Sequence, residues 1–268
     1  MLKIVLLLLG AFFVFLYLFQ GKMIFYPQKV SPVSREKFKE FHYEIQTGEV
    51  VLKGWFVNRG ASKQRPMIIY FGGNAEEVSG NLADIDRIHT DSFLFMNYRG
   101  YGESQGKPNE ENLLRDGLVI FDHMVNIEKI PGEHIVLMGR SLGTGVACHV
   151  AARRDPAAVI LVTPFDSLVN VAKKHYPIFP VNWLMRHRFE SIRLAPDLQQ
   201  PMLAITGTRD EIIPRHCAEN LIEQWAGPVT AVSIENAGHN DISMHDAYWT
   251  ALETFLQRLK EPSPQGSP

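Results

Sequence analysis

Residues 135–145 read IVLMGRSLGTG. A β-branched run breaks into Gly-x-Ser-x-Gly and continues as a row of small residues suited to a helix, the strand, sharp turn and helix of a nucleophile elbow. Gly139 and Gly143 flank the turn because a Cβ at either place meets neighbouring backbone, and the tight turn lifts the Ser141 hydroxyl above the sheet edge. A chance Gly-x-Ser-x-Gly is expected far less than once in a chain of this composition, and the context adds to its weight. The stretch therefore predicts an α/β protein that carries an activated serine.

Other apolar runs alternate with helical segments on both sides of it. FHYEI (41–45) and VLKGWFV (51–57) read as an antiparallel pair joined near Gly48, and PMIIYF (66–71) as a buried strand that runs into Gly72, Gly73 and Asn74. Residues 74–89 read as a helix, SFLFMN (92–97) as a strand ending in the turn YRGYGESQG, and 110–126 as a helix with apolar positions at Leu113, Leu114, Leu118, Phe121 and Met124. AVILV (158–162), MLAIT (202–206) and VTAVSI (229–234) complete the strands, and 246–259 reads as the last helix. The alternation predicts a mostly parallel central sheet with helices on both faces. It lapses over about 167–200, where a short cap insertion offers Tyr176, Phe179, Trp183, Leu184, Met185 and Phe189 to a groove of acyl size or to packing on the body.

The chain of 268 residues, 46% hydrophobic and 21% charged, is long enough for one large core, and its net charge of −2 excludes the basic excess of a nucleic-acid binder. Cys148 and Cys217 fall in expected core helices and read as free buried thiols. No CxxC or HExxH spacing occurs, so neither a metal nor a cofactor is expected. Residues 4–21 carry no charge, and at about 1.5 Å per residue they span about 27 Å, enough for a bilayer core. No small-residue cleavage site follows, so 1–22 is expected to be an uncleaved single-pass membrane anchor, with Tyr17, Phe25 and Tyr26 at the interface and 23–39 as a linker. Lys3 opposes Lys22, Lys29, Arg35, Lys37 and Lys39, so charge does not select the side of the membrane. The expected hydrolytic domain covers 40–260, and 261–268 (EPSPQGSP) is a polar tail.

A serine hydroxyl needs a base within reach and a carboxylate to orient that base. His239 in NAGHND follows the last strand, and Asp210 in TGTRDEIIP follows the MLAIT strand, so the chain order is Ser141, Asp210, His239. Asp166, after the AVILV strand, and Glu211 are rivals for the acid. For the developing oxyanion the backbone N–H of Leu142 and that of Asn74 are the chosen donors, with Gly73 as the alternative to Asn74. The substrate expected from these residues is a small acyl ester or thioester or a lipid-like molecule. A serine peptidase with the same chain order and a non-catalytic membrane-bound scaffold remain the other readings.

YFGGNA, NYRGYGESQGKP, GRSLGTG, PVNWLMRHRFES, GTRDEIIP and GHND together resemble the membrane-anchored Bem46-like family of α/β-hydrolases, relatives of the α/β-hydrolase domain-containing proteins 13 and 17. The resemblance implies the α/β-hydrolase fold and a triad at Ser141, Asp210 and His239. Two departures stand out: Gly72 occupies the place where the family commonly has a histidine, and the amino-terminal cysteine cluster of the depalmitoylase-like members is absent.

Overall fold

The uninterrupted apolar runs become strands buried on both faces in the computed structural model, which describes residues 1–60, 66–90 and 92–259. The strands are β1 (His42–Thr47), β2 (Val50–Asn58), β3 (Met67–Phe71), β4 (Ser92–Met96), β5 (Ile135–Arg140), β6 (Ala158–Val162), β7 (Met202–Gly207) and β8 (Val229–Ile234). They form one sheet in the order β1-β2-β4-β3-β5-β6-β7-β8. β2 runs antiparallel to β1 and to β4, and every other neighbouring pair is parallel. The parallel strands therefore all end, at their carboxyl termini, on the same edge.

Strand periodicity sorts the core into two layers. Ile69, Phe71 and Leu137 pack with Leu113, Ile120 and Phe121 of α3 (Glu110–Asn126) and with Val146 of α4 (Leu142–Ala151). Ile68, Tyr70, Val136 and Met138 point the other way, onto Leu252, Phe255 and Leu256 of α8 (Asp246–Arg258). Cys148 and Cys217 are both buried and free, the latter on α7 (Arg215–Gln224).

Three expectations need correction. Residues 74–89 do not form an α-helix but two 3-10 segments, Val78–Ala83 and Ile85–Arg87. Side chains take the backbone donors there: Asn97 Oδ1 accepts from Val78 N–H at 3.3 Å and Glu77 Oε1 from Ser79 N–H at 3.1 Å. Phe25 is not an interfacial aromatic, because it is 3% exposed and lies edge-on to His187 inside the core. The stretch 23–39 is no free linker, since it carries a short helix α2 (Pro32–Lys37) started by Ser31 and buries Val30 as well as Phe25. The tail at 261–268 lies outside the described residues.

The cap contains helices α5 (Leu168–His175) and α6 (Val181–Leu184). Its aromatics divide. Phe189 is buried against Gly145, where a Cβ would come within 2.8 Å of its ring, whereas Trp183 is 90% exposed. Tyr176 and Phe179 turn towards the amino-terminal helix α1 (Leu2–Ile24).

The turn after β4 is tied to the body by a buried ion pair. Arg99 Nε and Nη2 donate to the two oxygens of Asp116 at 2.5 and 2.7 Å, and Thr47 Oγ1 donates to Asp116 at 2.9 Å. Asp116 is 1% and Arg99 7% exposed, so removing the carboxylate strands a cation in the interior. Asp116→Ala is expected to lower unfolding stability by about 3–5 kcal/mol, read from urea titration of the purified protein.

Candidate active site

Ser141 sits between β5 and α4 at φ 49° and ψ −115°, a left-handed conformation that non-glycine residues rarely adopt. Such strain costs on the order of 1–3 kcal/mol and persists only where the surroundings hold it. Ser141 N–H donates to Val162 O on β6 at 2.9 Å, and its carbonyl accepts from Thr144 N–H at 2.9 Å. The two glycines of the motif leave no room for a side chain. A Cβ on Gly139 would lie 2.4 Å from Gly143 O, and one on Gly143 would lie 2.0 Å from Phe71 O. The turn after β3 is thereby pressed against the serine.

His239 follows β8, and Asp210 follows β7, so both emerge on the edge where Ser141 stands. His239 Nε2 is 3.0 Å from Ser141 Oγ, and His239 Nδ1 is 2.8 Å from Asp210 Oδ2. The side chains of both His239 and Asp210 are 8% exposed. A carboxylate only accepts, so the proton belongs on Nδ1 and leaves Nε2 to accept from the serine hydroxyl. Asp210 Oδ1 accepts from Ile212 N–H at 2.9 Å and Ile213 N–H at 2.8 Å, which fixes the plane of the carboxylate.

The rival acids lie elsewhere in the hydrogen-bond pattern. Asp166, 1% exposed, accepts from Ser167 N–H at 2.6 Å, Asn170 Nδ2 at 2.7 Å and Asn220 Nδ2 at 3.1 Å, and so ties the start of the cap to α7. Glu211 is exposed on the surface. The thiols offer no alternative nucleophile at neutral pH, since burial pushes Cys148 up to about 12, and burial with the neighbouring Asp166 does the same to Cys217. Among the described residues no three His, Cys, Asp or Glu side chains gather as a metal site requires.

The turn after β3 faces the serine, because a Cβ on Gly73 would lie 3.6 Å from Ser141 Cβ. Gly73 N–H donates to Glu76 Oε2 at 2.6 Å. Leu142 opens α4, and a helix's first N–H groups lack an intrahelical acceptor. The Asn74 side chain grips the end of α1: Oδ1 accepts from Tyr26 N–H at 3.1 Å, and Nδ2 donates to Ile24 O at 2.5 Å.

One set of residues escaped sequence reading. Arg140, the first of the two variable positions of the motif, bonds Glu76 Oε2 at 3.2 Å, His239 O at 3.3 Å and Asn240 Oδ1 at 3.2 Å. Glu76 also accepts from the Tyr70 hydroxyl at 2.8 Å. Burial, then the Glu76 carboxylate, holds that phenol protonated well above its ordinary range. The network links the turn after β3, the serine elbow and the histidine loop. No spacing announces it, for Arg140 stands 64 residues from Glu76 and 100 from Asn240.

A family model described as an alpha/beta hydrolase domain matches residues 76–257. The chain belongs to the α/β-hydrolase family. It is 29% identical over 265 residues to an uncharacterized protein of Mycobacterium tuberculosis, covering 94% of this chain and 92% of that one. It is 32% identical over 198 residues to the alpha/beta hydrolase domain-containing protein 17B of Xenopus laevis, covering 70% of this chain and 65% of the relative. An esterase of Pyrococcus furiosus superposes with a TM-score of 0.70 over 89% of this chain and 100% of its own, at 17% identity, which speaks to the fold.

Proposed function

We propose that this α/β-hydrolase is a membrane-tethered serine hydrolase that cleaves a carboxylic ester or thioester through an acyl-enzyme on Ser141. The observation that carries the reading is the relay of 3.0 and 2.8 Å contacts joining Ser141, His239 and Asp210, which come from three different strand ends. Ser141 Oγ attacks the acyl carbon while its proton passes to His239 Nε2, and Asp210 steadies the imidazolium that results. The Leu142 and Asn74 backbone N–H groups take the charge that builds on the carbonyl oxygen. Asn74 is preferred to Gly73 because the Gly73 N–H is already given to Glu76. Collapse of the tetrahedral intermediate expels an alkoxide or thiolate, which takes the proton from Nε2. Water then attacks the acyl-enzyme by the same route, returning the free acid and the serine.

Tethering is supported by α1, the helix among the described residues that is long and apolar enough to cross a membrane. The test is covalent labelling of the purified full-length protein by a fluorophosphonate. Adduct on Ser141 in the wild type and none in Ser141→Ala is the expected result. Absence of an adduct in the wild type, or equal labelling of the two, would overturn the assignment.

A further inference from the structure

An apolar groove of about 330 Å³ lies between α1 and the cap, lined by Phe12, Leu16 and Ile24 from the helix and by Tyr176, Phe179 and Leu184 from the cap. Its volume is at the lower end of the about 300–1,000 Å³ typical of small-molecule sites. Positions 12 to 24 advance about 18 Å along a helix.

Two observations argue that the groove is built rather than incidental. Gln20 is the polar side chain in the apolar stretch of α1, yet it is 8% exposed and its amide is matched to the cap. Gln20 Nε2 donates to Leu184 O at 3.0 Å, and Gln20 Oε1 accepts from Arg186 N–H at 2.7 Å. The Arg186 guanidinium stacks over Tyr17 at 5.4 Å, and the Phe12 and Phe179 rings meet at 6.3 Å. Helix and cap are therefore docked at defined points with a cleft left open between them. The cleft is also tied, at its Ile24 end, to the turn after β3. Ile24 lines it, and the Ile24 carbonyl accepts from Asn74 Nδ2 at 2.5 Å, one residue from the Gly73 that faces Ser141.

We infer that this groove receives the acyl chain of a membrane lipid ester, so that α1 forms one wall of the substrate site. The occupant follows from the walls. A helix suited to the bilayer brings lipid chains to the mouth of an apolar cleft whose Ile24 wall is hydrogen-bonded to Asn74 of the proposed oxyanion turn. A chain that slides from the bilayer into the cleft keeps its methylenes out of water throughout, which removes the main cost of extracting a lipid. The inference rests on the serine hydrolase reading and adds the substrate class to it.

The experiment uses full-length protein in phosphatidylcholine nanodiscs and a hexadecyl fluorophosphonate with a diazirine near the chain end. After reaction at Ser141, irradiation is expected to place crosslinks in peptides containing residues 12–24 and 172–185. Crosslinks confined to other segments of a Ser141-labelled protein would overturn the groove. Failure to label Ser141 would remove the hydrolase reading, and the groove with it. A second measurement compares p-nitrophenyl hexadecanoate with the butanoate. Leu16→Trp, which fills the cleft, is expected to lower the ratio of their kcat/KM values by about tenfold or more. Leu18→Trp, on an exposed face of α1 outside the cleft lining, is the matched comparison. Equal ratios in the two variants would count against the groove.

Discussion

Ser141→Ala is expected to lower kcat for hydrolysis of a short p-nitrophenyl ester by about 10⁶, the scale of loss when a triad nucleophile is removed. In the proposed reaction the hydroxyl is the atom that bonds to substrate, and its 3.0 Å contact with His239 Nε2 is what would activate it. His239→Ala is expected to cost about as much, because without the base the hydroxyl is a poor nucleophile at neutral pH. The double variant should then be no slower than either single one, since the two groups act as a unit. Steady-state rates of the three purified variants decide it. A loss below tenfold in Ser141→Ala, or additive losses in the double variant, would mean that the relay does not carry the reaction.

Asp210→Asn is expected to reduce turnover by about 10⁴ with the fold retained. The geometry explains so large an effect from so small a change. Oδ1 is held by the Ile212 and Ile213 N–H groups, so an asparagine keeps its oxygen there and turns its NH₂ towards His239 Nδ1. The imidazole must then accept at Nδ1 and carry its proton on Nε2, where it can no longer take one from Ser141. Asp166→Asn provides the contrast. Its carboxylate serves Ser167, Asn170 and Asn220, so its loss should loosen the attachment of the cap to α7 without a comparable fall in turnover. A loss near 10⁴ in Asp166→Asn together with a mild effect in Asp210→Asn would reassign the acid.

The fold was readable where residue pattern and burial coincide. Runs such as IVLMG and AVILV have no polar alternation because both faces of a parallel strand are covered, and each became a strand within a residue or two of its expected limits. The glycines of the elbow were equally legible, since a Cβ has no space at Gly139 or Gly143. Reading failed where distant side chains decide local structure. The apolar spacing in 74–89 suits an α-helix, but Asn97, remote in sequence, takes the Val78 N–H. Phe25 looks interfacial beside a hydrophobic helix, yet the body offers it a buried seat against His187.

The site divides in the same way. Motif order by itself pointed to Ser141, Asp210 and His239, with Asp166 and Glu211 as rival acids, because strand ends of a parallel sheet share one edge and each residue follows a strand within a few positions. Local sequence also determined the turn at Ser141, whose strain and glycine requirements lie within a few residues of one another. Only the tertiary structure showed which carboxylate, that of Asp210 and not that of Asp166, lies against His239. Both follow a strand at that edge and both accept from nearby N–H groups, and what separates them is that Asp210 keeps Oδ2 for His239 while Asp166 gives its Oδ2 to Asn170 and Asn220. The link from Glu76 through Arg140 to Asn240, the loss of Gly73 N–H to Glu76, and the cleft between α1 and the cap were likewise invisible in the chain. Each depends on groups far apart in sequence meeting at hydrogen-bond or van der Waals distance, and no one-dimensional periodicity records such a meeting.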